Sequence, residues 1–252
     1  MRLSEPDDRA TLTAFCADSL YGTYILCRFL CYGNDYPFAR CYVDRDGDRI
    51  RTALSVLEDT AVLLVSDATD YEEFTVCLPL LGVKTVLTDA STANQLPFSC
   101  VKTKTVLQFD GPVLTAQAAD DAPMPAVYHL IADAIPGSFL KTKEAYLSFL
   151  SDFTFRRNRG SARLKAVLMN DSLVACAVTA AETDTGAVIS GVACNKAQRG
   201  KGFGKAAVFA MISALQRERK SAYVIALNDS AVGFYRSLGF SESGKAAWLQ
   251  LS

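Results

Sequence analysis

The sequence predicts an α/β protein, of the mixed α+β kind, with two similar domains in tandem and helices that flank each sheet. Helical and strand patterns alternate in the second half of the chain, and the first half repeats their order with weaker signals. Between the halves, residues 110–123 are rich in Gly, Pro, Asp and Ala and have no apolar periodicity. We therefore expect a domain boundary there that divides residues 1–115 from residues 116–252.

In the second half, apolar spacing and helix end signals predict two helices, three strands, a helix, a strand, a helix and closing strands, in that order. Pro136-Gly137 separates the first two helices, and Asn170-Asp171-Ser172 is typical of a hairpin turn. Asn228 offers an N-cap oxygen to the last helix, and Gly239 follows that helix where a left-handed C-cap is expected. The predicted helices are 126–134, 143–155, 203–219 and 228–238, and the predicted strands are 163–169, 173–181, 187–194, 222–227, 240 and 246–251.

The first half predicts a helical segment followed by a hairpin, a strand, a helix and two further strands. The acidic run at the hairpin is not a calcium loop, because Gly47 stands fourth rather than sixth and Ser55 replaces the glutamate of position twelve. Residues 66–70 carry acids and no glycine, so this half has lost its anion-binding loop if the two halves are related. The predicted segments are helix 8–32, hairpin 44–49, strand 60–66, helix 71–80, strand 86–87 and strand 102–108.

The composition indicates a soluble globular protein: of 252 residues, 50% are hydrophobic and 21% are charged. The longest run without a charged residue, Ala90–Val101, is shorter than the roughly 18 apolar residues that a membrane span requires. The first residues are acidic and lack the apolar region of a secretory signal. We therefore expect a cytoplasmic protein with no membrane partner.

The eight cysteines favour reduced thiols in that compartment over a disulfide framework. The closest pair, Cys27 and Cys31, falls one helical turn apart on a stripe with Leu20 and Tyr24, and the single histidine, His129, is distant in sequence. Zinc requires four Cys or His ligands at tighter spacing. The sequence therefore predicts core cysteines and no metal.

The formal net charge of −1 conceals an asymmetry between the halves. Residues 1–116 carry 10 basic and 16 acidic residues, whereas residues 117–252 carry 16 basic and 11 acidic residues. Residues 196–205 contain four bases and no acid, which indicates either a solvated surface or a site for a small polyanion such as a nucleotide phosphate. Aromatic residues are not interleaved with these bases at a spacing that suggests base stacking, so no nucleic-acid partner is expected.

The strongest local signal is the segment 198–206, which follows a predicted strand and opens a helix. Its glycines let the backbone approach a ligand, successive N–H groups form a concave nest, and the helix N-terminus adds roughly half a positive charge. The Walker A pattern fails, because Arg199 and Ala206 stand where it requires Gly and Ser or Thr. The Rossmann pattern fails at Lys205, where it requires a third glycine. An anion site remains that is typical of neither ATP nor NAD.

Two patterns, each weak alone, stand in order along the second half. They are R-x-x-G-x-G, in Arg199, Gly202 and Gly204, and N-x-x-A-x-x-x-Y-x-x-x-G-F, in Asn228, Ala231, Tyr235, Gly239 and Phe240. Together they resemble the coenzyme A site of the GCN5-related N-acetyltransferase (GNAT) superfamily, over about residues 124–252. The resemblance implies a centrally splayed sheet and acetyl-CoA as cofactor. The first half resembles the superfamily only in element order, so we expect it to be a degenerate copy or an accessory domain.

The resemblance also implies the site residues. It assigns the pyrophosphate of acetyl-CoA to the loop amides, and the pantetheine arm and acetyl carbonyl to the backbone of the splayed strand, where Gly191 favours a bulge. It places Asn228 near the pantetheine and Tyr235 near the sulfur, where Tyr235 protonates the departing thiolate as general acid. The implied cofactor-binding residues are Val192, Ala193, Cys194, Arg199, Gly200, Lys201, Gly202, Phe203, Gly204, Lys205 and Asn228.

The general base is not evident from the sequence. Some family members carry a glutamate on the splayed strand, but residues 188–192 contain no carboxylate. Glu182 and Asp184 are candidates by proximity alone, and a water chain, an acceptor that is already partly neutral, or an inactive domain are alternatives. A nucleophilic Cys194 is disfavoured, because no histidine stands nearby in sequence to activate it.

We therefore expect an N-acetyltransferase that moves an acetyl group from acetyl-CoA directly to a primary amine of a small molecule or peptide. The alternatives are a non-catalytic CoA-binding or protein-interaction module, and a nucleic-acid binder that uses the basic half. The acceptor pocket is expected at residues 135–159 and part of the first half. Within it, Arg156, Arg157 and Arg159 either meet an acidic substrate or belong to a solvated loop. Oligomeric state stays open.

Overall fold

The computed structural model describes residues 4–6, 8–66, 71–134 and 142–251. Within them, contacts group the chain into two compact units. Unit 1 comprises Met1–Gln108, Ile225–Tyr235 and Ser241–Ser252, and unit 2 comprises Phe109–Val224 and Arg236–Phe240. Because these units are made of separate segments of the chain, the domain boundary expected between residues 115 and 116 stays a prediction.

The helices and strands follow the order expected from the sequence in both halves. The helices are α1 Arg9–Cys16, α2 Leu20–Tyr32, α3 Tyr71–Leu80, α4 Ala90–Ala93, α5 Met124–Ala134, α6 Lys143–Asn158, α7 Phe203–Arg217 and α8 Asp229–Arg236. The strands are β1 Ala39–Asp46, β2 Arg49–Leu57, β3 Thr60–Val65, β4 Thr85–Asp89, β5 Ser99–Phe109, β6 Leu164–Met169, β7 Ser172–Glu182, β8 Gly186–Cys194, β9 Ser221–Ile225 and β10 Phe240–Gln250. A 3₁₀ turn, Lys196–Gln198, precedes α7.

Three details of this order differ from the prediction. The single helical segment expected at 8–32 is two helices, because Asp18 adopts a positive φ and Ser19 caps α2. The short α4 has no apolar period and was not predicted; the Asp89 carboxylate caps it. The two closing strands are one strand, β10. Pro136-Gly137 and most of the acidic connection at 66–70 lie outside the described residues.

In unit 1 the strands lie in the order β1-β2-β3-β4-β10-β5, and β3 and β4 run parallel. The closing strand was expected within the second half, whereas its residues 246–250 pair antiparallel with β4 in unit 1. The core beneath this sheet includes Leu54, Phe74 and Leu249, all essentially inaccessible. Cys27 and Cys31 are buried on α2, which confirms their predicted core position.

In unit 2 the strands lie in the order β9-β8-β7-β6, with β8 parallel to β9 and the other neighbours antiparallel. α7 packs against β6, β7 and β8, and Val127, Phe153 and Leu164 belong to the core formed with α5 and α6. The hairpin between β6 and β7 turns at Asn170 and Asp171, both with positive φ, as predicted. Both units begin with two helices followed by three antiparallel strands, α1-α2-β1-β2-β3 in unit 1 and α5-α6-β6-β7-β8 in unit 2. In each, a residue before the first helix forms an isolated bridge to one of these strands, Ser4 with Val43 and Ala119 with Ala166.

None of the helices within the described residues is both long and apolar enough to span a membrane. In the same part of the chain, no group of three or more His, Cys, Asp or Glu side chains is arranged to hold a metal ion. The acidic hairpin instead turns at Gly47, which has φ +57°, and the buried Asp44 carboxylate forms an ion pair with Arg51 at 2.8 Å.

Candidate functional site

Strand β8 leaves its parallel neighbour before it ends. Its pairing with β9 runs from Gly186 to Ile189, whereas the strand itself continues to Cys194. Beyond Ile189 the backbone of β8 is paired with β7 on one side only, and Ala193 and Cys194 belong to that paired part. Residues 190–194 of β8 therefore have no ladder partner in β9, as the predicted splay of the central sheet requires.

A bulge at Gly191 accompanies this departure. Between the paired positions Ser190 and Ala193, β8 has two residues where β7 has only Ala177. Gly191 has φ +50°, and a Cβ there would lie 2.7 Å from Cγ2 of Val178. Only glycine meets both requirements without strain, so Gly191 permits the bulge that was predicted there.

The loop after β8 is held from within by three of its own side chains. The Asn195 carboxamide oxygen accepts from the Ala197 N–H at 2.9 Å and caps the 3₁₀ turn. Arg199 Nε donates to the carbonyl oxygen of Cys194 at 3.3 Å, and Lys201 Nζ donates to Gln198 Oε1 at 2.9 Å. These bonds fix the loop ahead of its glycines, and they give Gln198 a local role that sequence reasoning did not assign to it.

Gly200 and Gly202 turn the loop into α7. Both adopt positive φ, +79° and +85°, both are exposed, and a Cβ at either would meet no atom within 4 Å. The first bond of α7 runs from the Ala206 N–H to the Gly202 carbonyl at 2.9 Å, so the N–H groups of residues 203–205 precede the helical ladder. Gly202 caps the helix without a side chain. The loop therefore presents backbone donors at an open helix N-terminus, a geometry that suits an anion.

The charged side chains around this loop are all basic. Lys196, Lys201 and Lys205 are exposed, and Lys205 Nζ lies 4.9 Å from the centre of the Phe209 ring. Cys194 is half-buried at the end of β8, with Sγ 3.7 Å from the Asn195 carbonyl oxygen, a weak contact that does not activate a thiol. Residues 192–205 thus form a continuous strand, loop and helix start whose charged side chains are all basic.

Asn228 and Tyr235 belong to unit 1; Asn228 immediately precedes α8, and Tyr235 lies near the C-terminal end of that helix. The Asn228 Oδ1 accepts from the Ala231 N–H at 2.9 Å, which confirms it as the N-cap. Tyr235 is 9% exposed and its ring packs edge-on to that of Phe234. Burial raises the pKa of Tyr235 well above the usual value of a tyrosine.

Glu182 lies at the centre of an ion cluster that sequence reasoning missed. It is 1% exposed; Arg163 Nε donates to its carboxylate at 2.9 Å and Lys220 Nζ at 2.8 Å. Burial lowers the pKa of Arg163, but hydrogen bonds and charges from Glu218 and Glu182 outweigh this and raise it overall. The Arg163 hydrogen bond lowers the pKa of Glu218 to about 2. The lone pairs of Glu182 are thus engaged in structure, which weakens its candidacy as a base.

The three arginines considered for an acceptor site also contact the protein. Arg156 binds the Asp152 carboxylate at 2.7 Å and the Ala180 carbonyl at 3.1 Å, and Arg157 binds Asp121 at 3.1 Å. The Arg159 guanidinium lies 3.6 Å from the centre of the Phe155 ring. Residues 135–141 of the expected acceptor region lie outside the described residues.

Residues 124–240 match the sequence model of the acetyltransferase (GNAT) family. A comparison with curated proteins gave no match.

Solved structures share the fold at low sequence identity. A GCN5-related N-acetyltransferase from Sphaerobacter thermophilus is 16% identical, with a TM-score of 0.61 over 98% of this chain and 94% of the other. A tandem GNAT protein of the clavulanic acid biosynthesis pathway is 13% identical, with a TM-score of 0.60 over 99% of this chain and 98% of the other. A GCN5-related N-acetyltransferase from Kribbella flavida is 16% identical, with a TM-score of 0.58 over 79% and 86%.

The family match covers the splayed strand, the glycine loop and α8, and the tandem neighbour agrees with a degenerate N-terminal copy. The chain therefore has a GNAT-like fold throughout and carries, at residues 124–240, a domain of the acetyltransferase (GNAT) family.

Proposed function

We propose that this protein is an N-acetyltransferase that moves an acetyl group from acetyl-CoA directly to a primary amine. The observation that carries the proposal is the open helix N-terminus formed by Gly200, Gly202 and α7 beside the unpaired edge of β8. Backbone donors and basic side chains there fit a pyrophosphate, and the extended edge fits the amides of a pantetheine arm. Bound acetyl-CoA would supply an acyl thioester that is already activated toward an amine.

The cofactor-binding residues in this proposal act mainly through their backbone. The amides of residues 200–205 bind the pyrophosphate, with Lys201 and Lys205 adding charge. Arg199 acts through its bond to the Cys194 carbonyl, which fixes the join between strand and loop. The backbone of residues 192–194 binds the pantetheine, and an N–H on this edge stabilises negative charge that develops on the acetyl oxygen.

Tyr235 acts in this proposal as a donor to the leaving sulfur. A tyrosine hydroxyl is protonated at neutral pH even at its ordinary pKa of about 10, and burial raises the pKa of Tyr235 further, so the hydroxyl is available as a donor. The same shift makes complete proton transfer to a thiolate less favourable, since the conjugate thiol has a pKa near 8.5. We therefore assign Tyr235 a hydrogen bond that strengthens as the sulfur gains charge.

One observation favours a second candidate function, a CoA-binding module without catalysis. The polar side chains of β8 are Ser190 and Cys194, and neither is a carboxylate base. In the catalytic proposal the amine must therefore reach the site in its neutral form or lose its proton through water.

Thiol release from acetyl-CoA by the full chain tests the proposal against this alternative. A panel should contain small polyamines, aminoglycoside-type amines and peptides with free N-termini or lysines. Release that depends on one class of amine supports transfer. Tight binding of acetyl-CoA with no release across the panel favours the non-catalytic module.

A further inference from the structure

We propose that Lys104, on β5 in the first half of the chain, is a positioning residue for the α8 segment that carries Asn228 and Tyr235. The inference rests on the proposed function for its catalytic meaning, although its structural part stands without it. Every contact that it uses lies within unit 1.

Two neighbouring residues of β5 bind two neighbouring residues of the turn between β9 and α8. Lys104 Nζ donates to the carbonyl oxygen of Leu227 at 2.5 Å. The carbonyl oxygen of Thr105 accepts from the N–H of Ala226 at 2.9 Å. The turn is therefore held by a backbone bond at one residue and by a charge-assisted bond at the next.

The second of these bonds fixes the start of α8. The Leu227 carbonyl immediately precedes Asn228, whose side-chain oxygen accepts from Ala231 and whose carbonyl accepts from the Val232 N–H at 3.0 Å. A movement of the Leu227 peptide therefore moves the cap, and the cap sets the register from which Tyr235 projects at the far end of the helix.

This segment depends on outside support because its own contacts are few. α8 spans only Asp229–Arg236, and helices this short are marginal by themselves. Residues 227–230, which are the end of the turn and the first two residues of α8, are all exposed and provide little packing. Lys104 is half-buried, although its bond to Leu227 lies at the surface, so part of its side chain is held by packing.

The first half of the chain thereby contributes to the proposed transferase site. Lys104 lies outside residues 124–240, so the family match does not include it. Its function is to orient Asn228 and Tyr235 rather than to touch the reacting atoms.

Lys102 provides a matched control on the same strand. It lies two residues earlier and so on the same face of β5. Its Nζ lies 4.6 Å from the centre of the Trp248 ring, in a different contact. Lys102→Met removes an equal charge from the same surface and leaves the Leu227 bond in place.

The test uses the full chain as wild type, Lys104→Met, Lys104→Arg and Lys102→Met. The first measurement is amide hydrogen exchange of the Ala231 and Val232 N–H groups, which requires no activity. We expect about tenfold faster exchange in Lys104→Met, since a charge-assisted bond is lost. Lys104→Arg should restore most of the protection, and Lys102→Met should match the wild type. Unchanged exchange in Lys104→Met, or an equal change in Lys102→Met, would overturn the positioning role.

The second measurement is the kcat for acetyl transfer beside the Kd for acetyl-CoA. We expect kcat to fall about tenfold in Lys104→Met, with the Kd within threefold of wild type and recovery in Lys104→Arg. Faster exchange with an unchanged kcat would contradict the catalytic part of the inference. If the wild type transfers no acetyl group, the proposed function fails, and the exchange data alone still decide whether Lys104 positions α8.

Discussion

A negative charge at Gly202 tests the anion site through a residue that the fold itself tolerates. Gly202 has φ +85°, and a Cβ there meets no atom within 4 Å. A side chain at this position costs about 1–2 kcal/mol of backbone strain and no steric clash. The protein should therefore remain folded in Gly202→Gln and Gly202→Glu.

The two variants differ in charge alone, so their comparison isolates electrostatics. A carboxylate about 5 Å from one phosphate charge is repelled by about 3 kcal/mol at an effective dielectric constant of about 20. Because the loop is exposed, solvent screening reduces this to roughly half. Calorimetric titration should therefore show acetyl-CoA binding to Gly202→Glu about tenfold or more weaker than to Gly202→Gln.

Gly47→Glu is the matched control for backbone strain and added charge. Gly47 also has a positive φ, +57°, and open space around its Cβ, but it turns the hairpin between β1 and β2. This variant should bind acetyl-CoA as the wild type does. Equal affinity of Gly202→Glu and Gly202→Gln would refute the assignment of the pyrophosphate to this loop.

Three further predictions concern catalysis, packing and pH. Tyr235→Phe removes a donor to developing charge and should lower kcat by about 10²-fold with the Kd for acetyl-CoA within threefold, and full turnover in steady-state assays would remove Tyr235 from the mechanism. Gly22→Ala should lower the free energy of unfolding by about 3 kcal/mol in urea, because the new Cβ would lie 2.0 Å from the Cys16 carbonyl oxygen of α1. The control is Gly233→Ala at an open helical position, which should raise the free energy of unfolding by up to about 1 kcal/mol. A folded-state pKa of about 2 for Glu218, against 4.5 in its ordinary state, means that its stabilisation is present above pH 4.5 and is lost as pH falls toward 2. Glu218→Gln should therefore lose stability at pH 7 and show a shallower acid transition between those pH values, and an unchanged acid transition would show that the Arg163 contact contributes nothing.

The loop and its glycines were predictable because their requirements are local. Positive φ at Gly200 and Gly202 and the bulge at Gly191 follow from residues that are adjacent in sequence. The order of elements was predictable for the same reason, since apolar spacing within one segment sets its type. The N-cap at Asn228 is another local feature, and it was confirmed.

The missed features join residues that are far apart in the chain. Strand β10 was predicted as a strand, but its alternation carries no information about its partner β4. The Arg163–Glu182 pair spans 19 residues, and the Lys104–Leu227 bond spans 123. Long charged side chains reach many partners, so spacing in sequence does not select one. This is why Glu182 was a candidate base in the sequence and is part of an ion cluster in the structure.

The proposed function requires that the open N-terminus of α7 and the free edge of β8 bind acetyl-CoA. Calorimetric titration of the full chain with acetyl-CoA, with ATP and NAD as controls, tests it most directly. We predict binding of acetyl-CoA with a Kd in about the micromolar range, and no comparable binding of ATP or NAD. Folded protein that takes up no acetyl-CoA, or binds the three nucleotides alike, would contradict it.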